Sequence, residues 1–276
     1  MVTVDTYGEV TERRRGQSQL LADTLGEGLI LEMALIPGGA FQMGSPKTEA
    51  ERNGNEGPQH SVLVSPFFLG KFEVTQAQWL AVAALPQVNR PLVSDPSRFK
   101  GADRPVENVT WYEAIEFCQR LSAKIGRVFR LPSEAEWEFA CRAGAATPYH
   151  FGQTVRADLE NYNGNKPYGK APPGKNREQT TPVGSFHAAN PYGLYDVHGN
   201  VAEWCTDPYH KNYRSAPHDG KPWDVGGDDR YRIVRGGAWN SKAKDSRSAR
   251  RNGFVPGSRY DFVGFRVAVS LSQGGK

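Results

Sequence analysis

Apolar positions along this 276-residue chain fall into short groups of differing spacing, with no single period sustained. The clearest helix is "TWYEAIEFCQRLSAKIG": Trp111, Ala114, Ile115, Cys118, Leu121 and Ile125 share one face, Thr110 and Glu113 form a capping box, and Gly126 ends it. "RLPSEAEWEFACRAG" repeats the device, with Ser133 and Glu136 capping, Trp137, Ala140 and Cys141 inward, and Gly144 as the stop. "TQAQ" from Thr75 caps a further helix through Ala84. Upstream, "ILEMALIPGGAFQMGS" alternates, breaks at Pro37-Gly38-Gly39 and resumes, which reads as a hairpin, and "VLVSPFFLGKFEV" is strand material. Beyond residue 145 the pattern is short strands between Gly, Pro, Asn and Asp, "RIVRGG" among them. Two or three short helices in a loop-rich, β-containing chain without βαβ alternation predict one α+β domain. Residues 1–27 show no period and are expected as a polar lead-in to a domain spanning 28–276.

Composition narrows the classes. The 30 Gly and 19 Pro require abundant loops. The 34 basic residues are interspersed with 30 acidic ones, and no helix-turn-helix, zinc finger or aromatic RNA-binding signature accompanies Arg13–Arg15 or the arginines between 247 and 259, so nucleic acid is not the expected partner. No window is apolar for long enough to span a bilayer and the start carries no apolar leader, so the expectation is a cytoplasmic protein without membrane contact. Cys118, Cys141 and Cys205 are scattered without a CxxC and read as free, buried thiols.

"NGFVPGSRYDFVGFR" sets Phe254, Val255, Tyr260, Phe262 and Val263 among glycines, arginines and a proline without helical or strand period. Such residues are either buried by tertiary packing or offered to a partner.

Six motifs in order, "IPGGAFQMGS", "RPVENVTWYEAIEFCQRL", "RLPSEAEWEFACRAG", "GLYDVHGNVAEWCTD", "RIVRGGAWN" and "VGFRVAVS", resemble the formylglycine-generating-enzyme family, a subclass of the C-type lectin fold, over about residues 28–270. The resemblance implies an irregular, loop-rich C-type lectin-like domain. Its enzymes oxidise a client cysteine with copper and oxygen through two cysteines after the "GG(S/A)(W/Y)" motif. Here that stretch is "GGAWNSKAKDSRSARRN", with Ser241 and either Ser246 or Asp245 at the corresponding places, and no cysteine follows Cys205. A hydroxyl cannot replace thiolate toward copper(I), so no copper and no catalytic residue are expected.

Residues 239–266 further resemble the variable region of retroelement-diversified proteins. In such regions a fixed framework alternates with positions encoded by mutable asparagine codons. The framework corresponds to Trp239, Arg247, Ser248, Ala249, Arg251, Pro256, Arg259, Gly264, Phe265 and Arg266. Between them Ser241, Asp245, Arg250, Gly253, Phe254, Val255, Ser258, Tyr260, Asp261 and Phe262 are all types reachable by changing only the adenines of such a codon. The resemblance implies a non-catalytic protein whose hypervariable surface binds an unknown protein or other macromolecular ligand, with Tyr260 and Phe262 as expected hot spots. The alternatives are a formylglycine-generating or related metal-dependent oxidase, and an accessory or regulatory module that merely keeps the fold. In the family the "GLYDVHGNVAEW" turn binds calcium, which here implies the Asp196 side chain, the carbonyls of Gly199 and Val201, and the Glu203 carboxylate. His198 beside it reads as a structural residue.

Overall fold

The computed structural model describes residues 1–26 and 28–271. All three capping boxes form. Helix α1 (Gln76–Ala83) starts at Thr75, whose Oγ1 accepts the Gln78 N–H at 3.2 Å while Gln78 Oε1 accepts the Thr75 N–H at 3.0 Å. Helix α2 (Trp111–Ile125) starts at Thr110 and stops at Gly126, whose φ of 75° suits a left-handed cap. Helix α3 (Glu134–Arg142) starts at Ser133, and its left-handed cap is Ala143, one residue before the expected Gly144. Ala114, Phe117, Cys118 and Leu121 of α2 are buried, with Phe117 stacked on Trp79 of α1.

The start of the chain departs from the expected lead-in. Strands β1 (Val2–Val4) and β2 (Val10–Arg13) make a hairpin whose Val2 and Val4 are buried in a cluster with Tyr149 and Phe151. Strand β3 (Leu20–Gly26) pairs antiparallel with β4 (Leu29–Ile36), so the expected border at residue 28 runs through a second hairpin. The expected hairpin at Pro37-Gly38-Gly39 is also replaced: β5 (Gly39–Met43) pairs with β6 (His60–Val64), whereas β4 pairs with β7 (Phe67–Gly70). The turn there switches the chain between sheets.

Two sheets frame the C-terminal half. With β8 (Phe129–Arg130) and β13 (Ala268–Ser270) the first has the order β3-β4-β7-β13-β8. The second, from β9 (Ala202–Tyr209), β10 (Asp228–Arg235), β11 (Asn252–Phe254) and β12 (Val263–Gly264), has the order β11-β10-β9-β12 with β12 parallel to β9. Phe265 and Arg266, between β12 and β13, thus bridge the two sheets, and both are fully buried. Cys118, Cys141 and Cys205 are buried free thiols. Among the described residues no helix is long and apolar enough to cross a membrane.

Candidate functional site

The segment from Gly236 to Arg266 is held by charge. The Arg247 guanidinium pairs with Glu49 and with both oxygens of Glu56, at 2.7 and 2.9 Å for the latter. Arg251 holds Glu134 bidentately at 2.7 and 2.6 Å and donates to the His210 carbonyl at 2.8 Å. Arg266 holds Glu203 through two 2.7 Å bonds and donates to the carbonyls of Gly70 and Tyr195. All three arginines are fully buried. Buried guanidiniums are tolerable only when such paired carboxylates and carbonyls satisfy their donors. Phe265 adds an apolar anchor, edge-on to Phe117 at 5.2 Å and to Trp79 at 6.2 Å. Trp239 is half-buried, its Nε1–H donating to the Asp261 carbonyl at 3.1 Å.

Between these anchors the pattern inverts. None of the ten positions expected to vary is buried. Phe254, Tyr260 and Phe262 gather with ring centroids 4.9–5.8 Å apart. They are neighbours, as expected, but half-buried against the core rather than freely exposed, because Trp204 lies edge-on beneath Phe254. Ser241, Asp245, Arg250, Phe254 and Phe262 line one shallow depression over the Gly236–Gly237 turn. Asp245 pairs with Arg250 at 3.2 Å, and Asp261 pairs with Arg98. Val255 is exposed; Gly253 and Ser258 are half-buried at the edge, where the N-terminus of α2 meets the loop through Trp111 N–H to the Pro256 carbonyl at 3.0 Å. Sequence reasoning missed the carboxylates Glu49, Glu56 and Glu134 and the flanking Arg98 and Trp111.

Ser241 and the two alternatives expected for the second copper-ligand place, Ser246 and Asp245, all sit against the glycine turn. Ser241 Oγ accepts the Ala238 N–H at 3.0 Å. A Cβ on Gly237, which has a φ of 72°, would collide with Ser246 Oγ, so only glycine passes there. His198 supports the same place from below. Its Nδ1–H donates to the Ser246 carbonyl at 2.7 Å, and Nε2 accepts the His150 N–H at 3.2 Å. Burial pulls the His198 pKa down to about 4, so the ring is neutral and structural.

The expected calcium set does not fit as arranged. Both oxygens of Glu203 are taken by Arg266, and Trp137 Nε1–H adds a third bond at 2.7 Å. Asp196 Oδ2 accepts the Gly184 N–H at 2.6 Å, and burial raises the Asp196 pKa to about 6. With the Glu203 charge matched by a guanidinium, the expected set is left with Asp196 and the carbonyls of Gly199 and Val201. The other acids of this neighbourhood, Glu73 and Glu160, are buried with their pKa values raised, and both oxygens of Glu160 lack a hydrogen-bond partner among the described residues. Among the described residues no three His, Cys, Asp or Glu side chains are placed to hold a metal.

This scaffold, with short helices, curled sheets and a loop-built face, is that of a C-type lectin-like domain of the formylglycine-generating-enzyme subclass. The model of the sulfatase-modifying factor enzyme 1-like domain matches residues 21–271, and the chain belongs to that family. It is 32% identical to the inactive C-alpha-formylglycine-generating enzyme 2 of Bos taurus, over 90% of this chain and 91% of that one. It is also 32% identical to the serine/threonine-protein kinase pkn1 of Chlamydia pneumoniae, of whose length it spans 39%. Among solved structures, Treponema denticola variable protein 1 superposes with a TM-score of 0.75 at 27% identity, covering 91% of this chain and 99% of that one.

Proposed function

We propose that this protein is a non-catalytic binder whose hypervariable surface, about residues 239–266, takes a protein or other macromolecular ligand. The observation that carries the reading is the division of labour along the segment. Arg247, Arg251, Phe265 and Arg266 are fully buried anchors, and none of the ten interleaved mutable positions is buried. A site that must accept arbitrary side chains needs its backbone fixed by residues other than those that vary. The likeness to a protein named as variable supports the same reading. Against the oxidase reading stand Ser241, with either Ser246 or Asp245, in place of thiolate ligands, and three cysteines that are all buried.

The test is a library. Randomising the ten positions over the types reachable from an asparagine codon is expected to leave most clones folded, with melting temperatures within a few degrees of the parent. Randomising Arg247, Arg251, Phe265 and Arg266 is expected to leave few. Comparable losses from both libraries would refute the proposal. In the DNA beside the gene, a near-copy of the codons for 239–266 that differs only at adenines is expected. Copper-dependent conversion of a cysteine-containing client peptide would instead establish the oxidase.

A further inference from the structure

Successive residues of a strand face opposite sides, and β11 places two mutable positions on different surfaces. Phe254 points to the aromatic cluster described above, while Gly253 faces Tyr209. Behind that side lies a cavity of about 1050 Å³, lined by Tyr209, Trp223, Tyr231, Lys211 and Arg214 among others. Its wall is preset: Trp223 stacks on His210 with centroids 3.5 Å apart, and the His210 ring donates to the Trp223 carbonyl at 2.9 Å. Asp228, which also lines it, is engaged by Arg230 at 2.8 Å, so the cations Lys211 and Arg214 set the charge at the mouth. Asn55 adds a buried Oδ1 without a hydrogen-bond partner, while its Nδ2 donates to the Tyr209 hydroxyl at 3.2 Å.

We infer that this cavity is a second recognition subsite, for an acidic extended peptide segment of the ligand, whose width is set by the residue at position 253. The inference rests on the binding reading above. Aromatic walls suit side-chain contact, and Lys211 and Arg214, which make no ion pair among the described residues, suit carboxylates. Gly253 has an ordinary strand backbone, so glycine is favoured there by space and not by conformation. A Cβ at 253 would stand 2.7 Å from Tyr209 Cδ2 and 2.9 Å from Cγ, so any larger residue must drive that ring aside. The open side is the cavity, which narrows. Diversification at one codon therefore reshapes a pocket that the rest of the variable set does not touch.

The experiment uses the full chain and a fluorescein-labelled copolymer of glutamate and tyrosine, read by polarisation, with maltoheptaose as competitor. The parent is expected to bind. Gly253→Phe and the double variant Lys211→Ala/Arg214→Ala are each expected to weaken binding about tenfold or more. Gly253→Ser, which displaces the Tyr209 ring less than phenylalanine does, is expected to lie between, and thermal melts of each variant show that the chain is folded. No binding by the parent, equal binding by the Gly253 variants, or competition by maltoheptaose would overturn the inference. Loss only in Tyr260→Ser/Phe262→Ser would also overturn it, placing the copolymer on the aromatic face and leaving the binding reading intact. The reading itself fails separately, through the libraries.

Discussion

Arg247→Ala is the sharpest probe of how the segment is held. The guanidinium and its partners are nearly out of solvent, with side-chain exposures of 1% for Arg247, 3% for Glu49 and 0% for Glu56. Truncation removes the only cation that pairs with Glu49 and Glu56 among the described residues, leaving two carboxylates in a buried site. Breaking a buried pair in this way costs about 3–5 kcal/mol. For a domain of this size that is a fall in Tm of about 10 °C. Thermal melts followed by circular dichroism measure it. In the same series Asp245→Ala, which breaks a half-exposed pair, is expected to cost less than about 1 kcal/mol. Adding Glu49→Gln and Glu56→Gln to the Arg247 variant is expected to recover a substantial part of the loss, because the penalty lies in uncompensated charge. A melt within about 1 kcal/mol of the parent for Arg247→Ala would refute the clamp argument. So would an equal loss from Asp245→Ala.

Burial, only partly offset by the backbone N–H of Phe99, raises the Glu107 pKa to about 7. Because the folded state holds this proton more tightly, its contribution to stability is present at pH 4 and is lost as pH rises through 7. Glu107→Gln lacks that loss, so its stability relative to the parent is expected to climb by about 1–2 kcal/mol between pH 5 and 8, allowing for solvent screening; a flat difference in urea melts would count against it. Calcium added at millimolar concentration to chelator-treated protein is expected to move Tm by less than about 1 °C, and a rise of several degrees would reinstate the metal at Asp196 and Glu203. Burial pushes the Cys118 and Cys141 thiols up to about 12 and raises Cys205 well above its ordinary value. A disulfide reagent is therefore expected to titrate no thiol in the native protein and three in denaturant. A fast-reacting thiol in the native state would point to redox chemistry.

The helices were legible because their signals are local: a capping box and a turn-by-turn apolar face lie within a few residues of each other. Strand partners were not. Nothing in "LLADTLG" shows that Leu20–Gly26 will pair with β4, since most of its residues stay exposed or half-exposed and no apolar alternation results. Within the site, the expected split between fixed and mutable positions rests on residue type alone, and what the structure adds is that Arg247, Arg251, Phe265 and Arg266 are buried while the ten interleaved positions are not. The carboxylates that hold the arginines could not be read from the sequence, since Glu49 and Glu56 precede Arg247 by 198 and 191 residues and no spacing rule reaches that far. The calcium motif is legible for a local reason, whereas the guanidinium that occupies Glu203 comes from 63 residues downstream and could not be read with it.

On the reading proposed here, binding and the family's oxidase chemistry exclude one another at this place on the fold. Position 241 is expected both to vary and to correspond to one metal ligand of the family's enzymes. An enzyme must hold its ligand atoms fixed, because a soft metal site tolerates no exchange of thiolate for arbitrary side chains. A diversified surface must let the same position change without loss of the backbone beneath it. Serine at 241 gives up the thiolate but still accepts the Ala238 N–H, whereas the side chains of its neighbours in the depression, Asp245 and Arg250, pair with each other and not with the scaffold. The anchoring rests on Arg247, Arg251 and Arg266, whose carboxylate partners lie outside the segment. Directional charge pairs hold a backbone at a few points without requiring the close-packed side chains of an apolar core between them. That is the physical condition under which ten neighbouring residues can be exchanged and the fold retained.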